Sequence, residues 1–157
     1  MSCIAPALVS VAMLAPAVTA TAACGAGDWG PTWQLQGFYF LTTVDGQAPP
    51  VALWSENGQT FWLLSETLEF NGGGGVTRTY SWRRDSAGVV GVEVRNESLR
   101  QQYRVHADSV TLGFLGPCPP NADCLAPDHG VFARDSVSLA SPLYSGRQLR
   151  YQRAGEL

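Results

Sequence analysis

The sequence predicts an all-β fold, a sandwich or barrel of about 120 residues built from roughly eight to ten short strands. Three observations lead there. Beyond Gln36, apolar side chains recur mostly at every second position, the period of a strand and not of a helix. Clusters of Gly, Pro, Asn, Asp and Ser interrupt these runs at intervals of ~8–12 residues. No amphipathic helix pattern competes with them. A chain this rich in strands must protect its sheet edges, and closing the sheet removes them.

The elements follow in order. Residues 37–44, GFYFLTTV, form a first strand. Asp45-Gly46 then favours a turn, because Gly tolerates positive φ. Pro49 and Pro50 donate no ladder hydrogen bonds, so they mark a strand entrance or an edge. Residues 51–54 make a short strand, and SENG turns into 60–70, TFWLLSETLEF, extended with a break expected near Ser65 and Glu66. NGGGG (71–75) reads as a flexible hairpin loop; a phosphate cradle would want a lysine or a following amphipathic helix, and neither is present. In VTRTYSW, Val76, Arg78, Tyr80 and Trp82 alternate with Thr77, Thr79 and Ser81. DSAG turns. Val90, Val92 and Val94 share a face opposite Glu93 and Arg95, and Leu99, Gln101, Tyr103 and Val105 alternate with Arg100, Gln102, Arg104 and His106. HADS turns into VTLGFL. The strands GVFAR, VSLA and RQLRYQR complete the chain.

Composition narrows the chemistry. The 157 residues have room for one domain. All ten basic residues are arginine, which excludes a P-loop lysine, a Schiff-base lysine and a lysine general base. The net charge of −3 and the lack of a basic patch speak against nucleic acid as a partner.

Residues 1–23 carry no charge and are rich in Ala, Val, Leu and Pro. Pro6 and Pro16 disfavour one uninterrupted helix, and the small residues at 20–23 resemble a cleavage region. An export signal is therefore expected at 1–23, although its usual basic start is missing, with a short linker at 24–35. Cys3 would leave with the signal. Cys118 and Cys124 bracket CPPNADC, a turn-rich loop whose ends can meet as a disulfide. A metal there would need two more ligands, and only His106 and His129 are on offer. Cys24 is left over. TAAC resembles a weak bacterial lipobox, so either Cys24 is lipidated as the mature first residue or ordinary cleavage occurs near Ala22 or Ala23. The expected locations are periplasm, outer membrane through that anchor, or secretion.

The stretch LQGFYFLTTVDGQAPPV resembles the opening of bacterial lipocalin-like domains, through Gly37, Tyr39, Leu41, Val44, Asp45, Gly46, Gln47 and Pro50. Ala48-Pro49 departs from that family's Pro-Leu pair. LEFNGGGGVTRTYSW, QYRVHADSVTL and VSLA…LRYQR resemble its later hairpins and last strand, without the Asp of the first and the Gly of the second. Together the resemblance covers residues 36–153. It implies an up-and-down antiparallel barrel of about eight strands whose interior holds an apolar or amphipathic ligand. It also implies a floor closed by an aromatic under an arginine, here Tyr39 or Trp33 against Arg150 or Arg153.

No catalytic set stands out. His106 lies on a polar strand face, His129 in a loop, and no Gly-x-Ser-x-Gly elbow exists. Strand parity puts Glu66 and Glu69 on opposite faces, which argues against a paired-carboxylate site. The expected function is non-enzymatic, with no cofactor and no metal. Strand aromatics either fill the core or line a hollow. In the second case Tyr39, Trp62, Tyr80 and Tyr103 are the candidate ligand contacts, with Arg78 or Tyr80 placed to fix a polar head group. A ligand-free module of the cell envelope is the alternative.

Overall fold

The computed structural model describes residues 35–155 except 87, 117, 119–123 and 134, and the backbone alone at Val92. The export segment, Cys24 and Trp33 lie outside the described residues. Nine strands run in chain order: β1 Gln36–Val44, β2 Val51–Glu56, β3 Gln59–Asn71, β4 Gly75–Ser86, β5 Val89–His106, β6 Ser109–Gly113, β7 Asp128–Ala133, β8 Ser136–Ser141 and β9 Arg147–Arg153. A 3-10 turn, Pro142–Tyr144, joins the last two.

Every pairing is antiparallel, and consecutive strands are neighbours from β2 through to β9. β1 closes the sheet, bonding β9 on one edge and β3 on the other. The result is an eight-stranded up-and-down barrel of β1 and β3 to β9. β2 stands apart from that ring. It takes over the edge of β3 at residues 59–63, where β1 has left it. Turn chemistry explains the handover. Asp45 and Gly46 both take positive φ and are bracketed by two hydrogen bonds between Val44 and Gln47, the tight turn that matches strand twist. Asn57-Gly58 makes the same kind of turn between β2 and β3.

The break expected near Ser65 is a register shift between Leu63 and Ser65. It resets side-chain parity: Phe61 and Leu63 face inward before it, Glu66, Leu68 and Phe70 after it. The glycine loop after β3 is not loose. Asn71 Oδ1 accepts the N–H groups of Gly73 and Gly75, each at 3.0 Å.

Strands β3, β4 and β5 outrun the barrel. β1 reaches only residues 67–71 of β3, and β6 only residues 102–106 of β5. Beyond those points β2, β3, β4 and β5 continue as a four-stranded ribbon past the rim. The barrel end away from the ribbon is packed with buried side chains among the described residues. Tyr39, Phe70 and Tyr103 pack edge to face, with centroids 5.4 and 4.9 Å apart, and the Tyr103 hydroxyl donates to the Leu35 carbonyl at 3.0 Å. Leu68, Val76, Val105, Leu112, Leu139 and Leu149 are buried around them. Cys118 and Cys124 form a disulfide.

Candidate functional site

The hollow lies where the ribbon leaves the barrel, between its inner face and the 3-10 turn. Its volume is about 230 Å³. β2 contributes Leu53 and Trp54, β3 Phe61 and Leu63, β4 Tyr80 and Trp82, β5 Glu97, and the 3-10 turn Leu143 and Tyr144. The sequence sets this lining through alternation, since 80 and 82 on β4 project to the same side as the buried Arg78. Phe61 stacks on Trp54 at 4.8 Å and meets Trp82 at 5.8 Å in a tilted contact, so three rings form one continuous wall.

Glu97 is the charged residue of that lining. It is paired across strands with Tyr80, whose hydroxyl donates to Oε2 at 2.8 Å, while the Trp82 indole N–H donates to Oε1 at 3.1 Å. These two bonds, Tyr80's first, hold the Glu97 carboxyl below its ordinary range. Burial and then the bond to Glu97 push the Tyr80 hydroxyl up to about 12. At neutral pH the site therefore presents a carboxylate held by neutral donors. Arg95 sits 5.7 Å over the Trp82 ring, forms its ion pair with Glu93, and adds a smaller electrostatic pull on Glu97.

Beneath the hollow lies a fully buried polar cluster. The Arg78 guanidinium is taken between Glu66, with Nε 2.8 Å from Oε1, and Asp128, which accepts from Nη2. Tyr144 and Tyr151 each donate to Glu66 at 2.6 Å, and Ser141 donates to Asp128 at 2.6 Å. Six side chains from β3, β4, β7, β8, β9 and the 3-10 turn thus meet inside the barrel. Burial raises the Glu66 pKa and outweighs the pull of Arg78. Burial alone would lower the Arg78 pKa, but Glu66 and its neighbours raise it, so the guanidinium stays charged. Tyr144 and Tyr151 are raised by burial and by Glu66. Arg78 Nη1 is buried without a hydrogen-bond partner among the described residues.

The candidate contacts proposed from sequence scatter. Tyr80 lines the hollow. Tyr39 and Tyr103 are buried at the far, packed end. Arg78 is interior but engaged by two carboxylates, so its guanidinium is not a free head-group anchor. Trp62 faces the opposite side of the ribbon, under the Arg83 guanidinium at 5.4 Å, because Leu63 next to it points inward. For floor closure, Tyr39 pairs through its backbone with Arg153, while the described cation–π contacts are Arg83 on Trp62 and Arg95 on Trp82. His106 and His129 are exposed and outside the hollow. Among the described residues no group of three His, Cys, Asp or Glu side chains is placed to hold a metal ion.

No family model, curated protein or solved structure matches the chain. The site must therefore be understood from its own residues. Glu97, Trp54 and Leu143 were missed by the sequence reading. The signal for Glu97 was faint: an acidic residue on the same strand face as Leu99 and Tyr103. Glu66 and Asp128 were missed as a pair because 62 residues separate positions 66 and 128 and only the closed ring brings them together.

Proposed function

We propose that the chain is a non-enzymatic, exported binding barrel whose ligand is a small apolar or amphipathic molecule. One observation carries this reading: an apolar, aromatic-walled hollow of about 230 Å³ with convergent polar groups at one end of the barrel. The volume suits a ligand smaller than a typical drug. The Cys118–Cys124 disulfide and the uncharged segment at 1–23 support export. Lipidation of Cys24 would fix the protein to a membrane and leave the barrel free.

The second reading, a ligand-free envelope module, draws support from the outer face of the ribbon. Val89 and Val90 are exposed there beside Trp62, and Val94 is exposed further along β5. One experiment separates the two. The protein is purified from its own envelope and analysed by mass spectrometry, native and denatured. The binding reading expects a small molecule released on denaturation, a chain beginning near residue 24 and any acyl group on Cys24. A protein that carries no small molecule, and whose Trp54 and Trp82 emission ignores added apolar compounds, would leave the envelope module standing.

A further inference from the structure

We infer that the ligand of this hollow is an organic cation, an amine or quaternary ammonium on a compact apolar body. This rests on the binding reading above and goes on to specify the charge of the ligand. Glu97 carries the formal charge of the lining, and that charge is negative. Its two hydrogen bonds come from neutral donors, a phenol and an indole, which orient the carboxylate without cancelling its charge. Arg95 lends Glu97 a minor electrostatic contribution, but its ion pair is with Glu93. A carboxylate oxygen accepts more than one hydrogen bond, so each Glu97 oxygen has room for an incoming N–H.

The walls favour the same sign. Trp54, Phe61, Trp82, Tyr80 and Tyr144 line the space, and the Trp82 ring already takes one cation, the Arg95 guanidinium at 5.7 Å. Below the floor, the one guanidinium, that of Arg78, is paired with Glu66 and Asp128. An anionic head group, such as a fatty acid carboxylate, would meet Glu97, while Arg78 does not line the hollow and is paired with Glu66 and Asp128. A neutral ligand would keep the apolar contacts and leave the carboxylate unused. An ammonium suits both the aromatic lining and Glu97.

The test uses three probes of nearly equal size: 2-phenylethylamine, 2-phenylethanol and phenylacetate. Binding of each to the purified protein near neutral pH is followed by tryptophan emission and calorimetry. The amine is expected to bind at least about tenfold more tightly than the alcohol, and phenylacetate most weakly. In Glu97→Gln, checked for folding by its NMR spectrum, the preference for the amine over the alcohol should disappear, the ratio of the two affinities falling to about one. Raising the salt should weaken the amine and spare the alcohol, a comparison that needs no variant. If the alcohol or phenylacetate binds as well as the amine, the cation is wrong and the hollow still stands as a binding site. If none of the three binds at millimolar concentration, the hollow itself fails, and the inference with it.

Discussion

At the scale of single residues, Arg78 is the most consequential side chain. A guanidinium removed from water is tolerated only because two carboxylates meet it, and each carboxylate is tolerated because hydroxyls complete its shell. Removing one member leaves the others uncompensated. Arg78→Met should cost about 3–5 kcal/mol in urea unfolding, because it strands Glu66 and Asp128 in the interior. Adding Asp128→Asn to that variant should recover part of the loss; no recovery would mean that charge is not what Arg78 supplies. Gly130 is a different kind of dependence. A Cβ built on it would overlap the Ser138 carbonyl oxygen of the neighbouring strand. Gly130→Ala should therefore destabilise by about 1–3 kcal/mol through displaced backbone, seen as a lower unfolding midpoint. Nothing in the local sequence GVFA announces this, since the clash comes from β8.

At the scale of elements, β5 shows how alternation can mislead. It is one 18-residue strand, yet its apolar parity changes along its length. Tyr103 and Val105, at odd positions, are 2% and 3% exposed; Val90 and Val94, at even positions, are 71% and 56% exposed. Both halves read as strands in the sequence. Only the barrel says which parity is interior, and that rule stops applying to the even-numbered valines once the strand leaves the ring. β3 solves a related problem with its register shift, which brings Leu63 and Glu66, three apart, to the same interior. The disulfide belongs to this scale too. It ties the segment between β6 and β7, and replacing both Cys118 and Cys124 by Ser should cost about 2 kcal/mol in the chain-entropy picture. Unfolding in urea with and without reductant measures the same quantity on the unaltered chain. An unchanged midpoint in both would show that the bridge adds no stability.

For the whole molecule, the buried cluster couples stability to pH. Burial raises the Glu66 pKa above its unfolded value, so the folded state holds a proton that the unfolded state has released. The Glu66 contribution is present below the ordinary carboxylate pKa and is lost as pH rises through the raised folded value. Glu97 and Asp85 have lowered pKa values, so their contributions run the opposite way, present above the ordinary value and lost on acidification. Comparison with Glu66→Gln cancels those two. The stability of this variant relative to the native protein should increase as pH rises above the ordinary carboxylate range in urea unfolding. A constant difference would mean that Glu66 does not titrate differently on folding. The period of two, the Asp-Gly and Asn-Gly turns and the Cys118–Cys124 pair were all legible in the sequence, because each depends on neighbours a few residues away. A range of eight to ten strands followed from them, while the up-and-down order was expected from the family resemblance and is the order observed. The site followed from neither. Trp62 lost its place in the hollow to strand parity, Arg78 to two distant carboxylates, and Glu97 gained its role from Tyr80 and Trp82 on the adjoining strand. The sequence by itself determined that this chain forms strands and where they turn, since backbone preference and short-range alternation are local. The tertiary structure alone decided which face of each strand is interior and which charges meet there, because those contacts exist only when β1 closes the ring between β9 and β3.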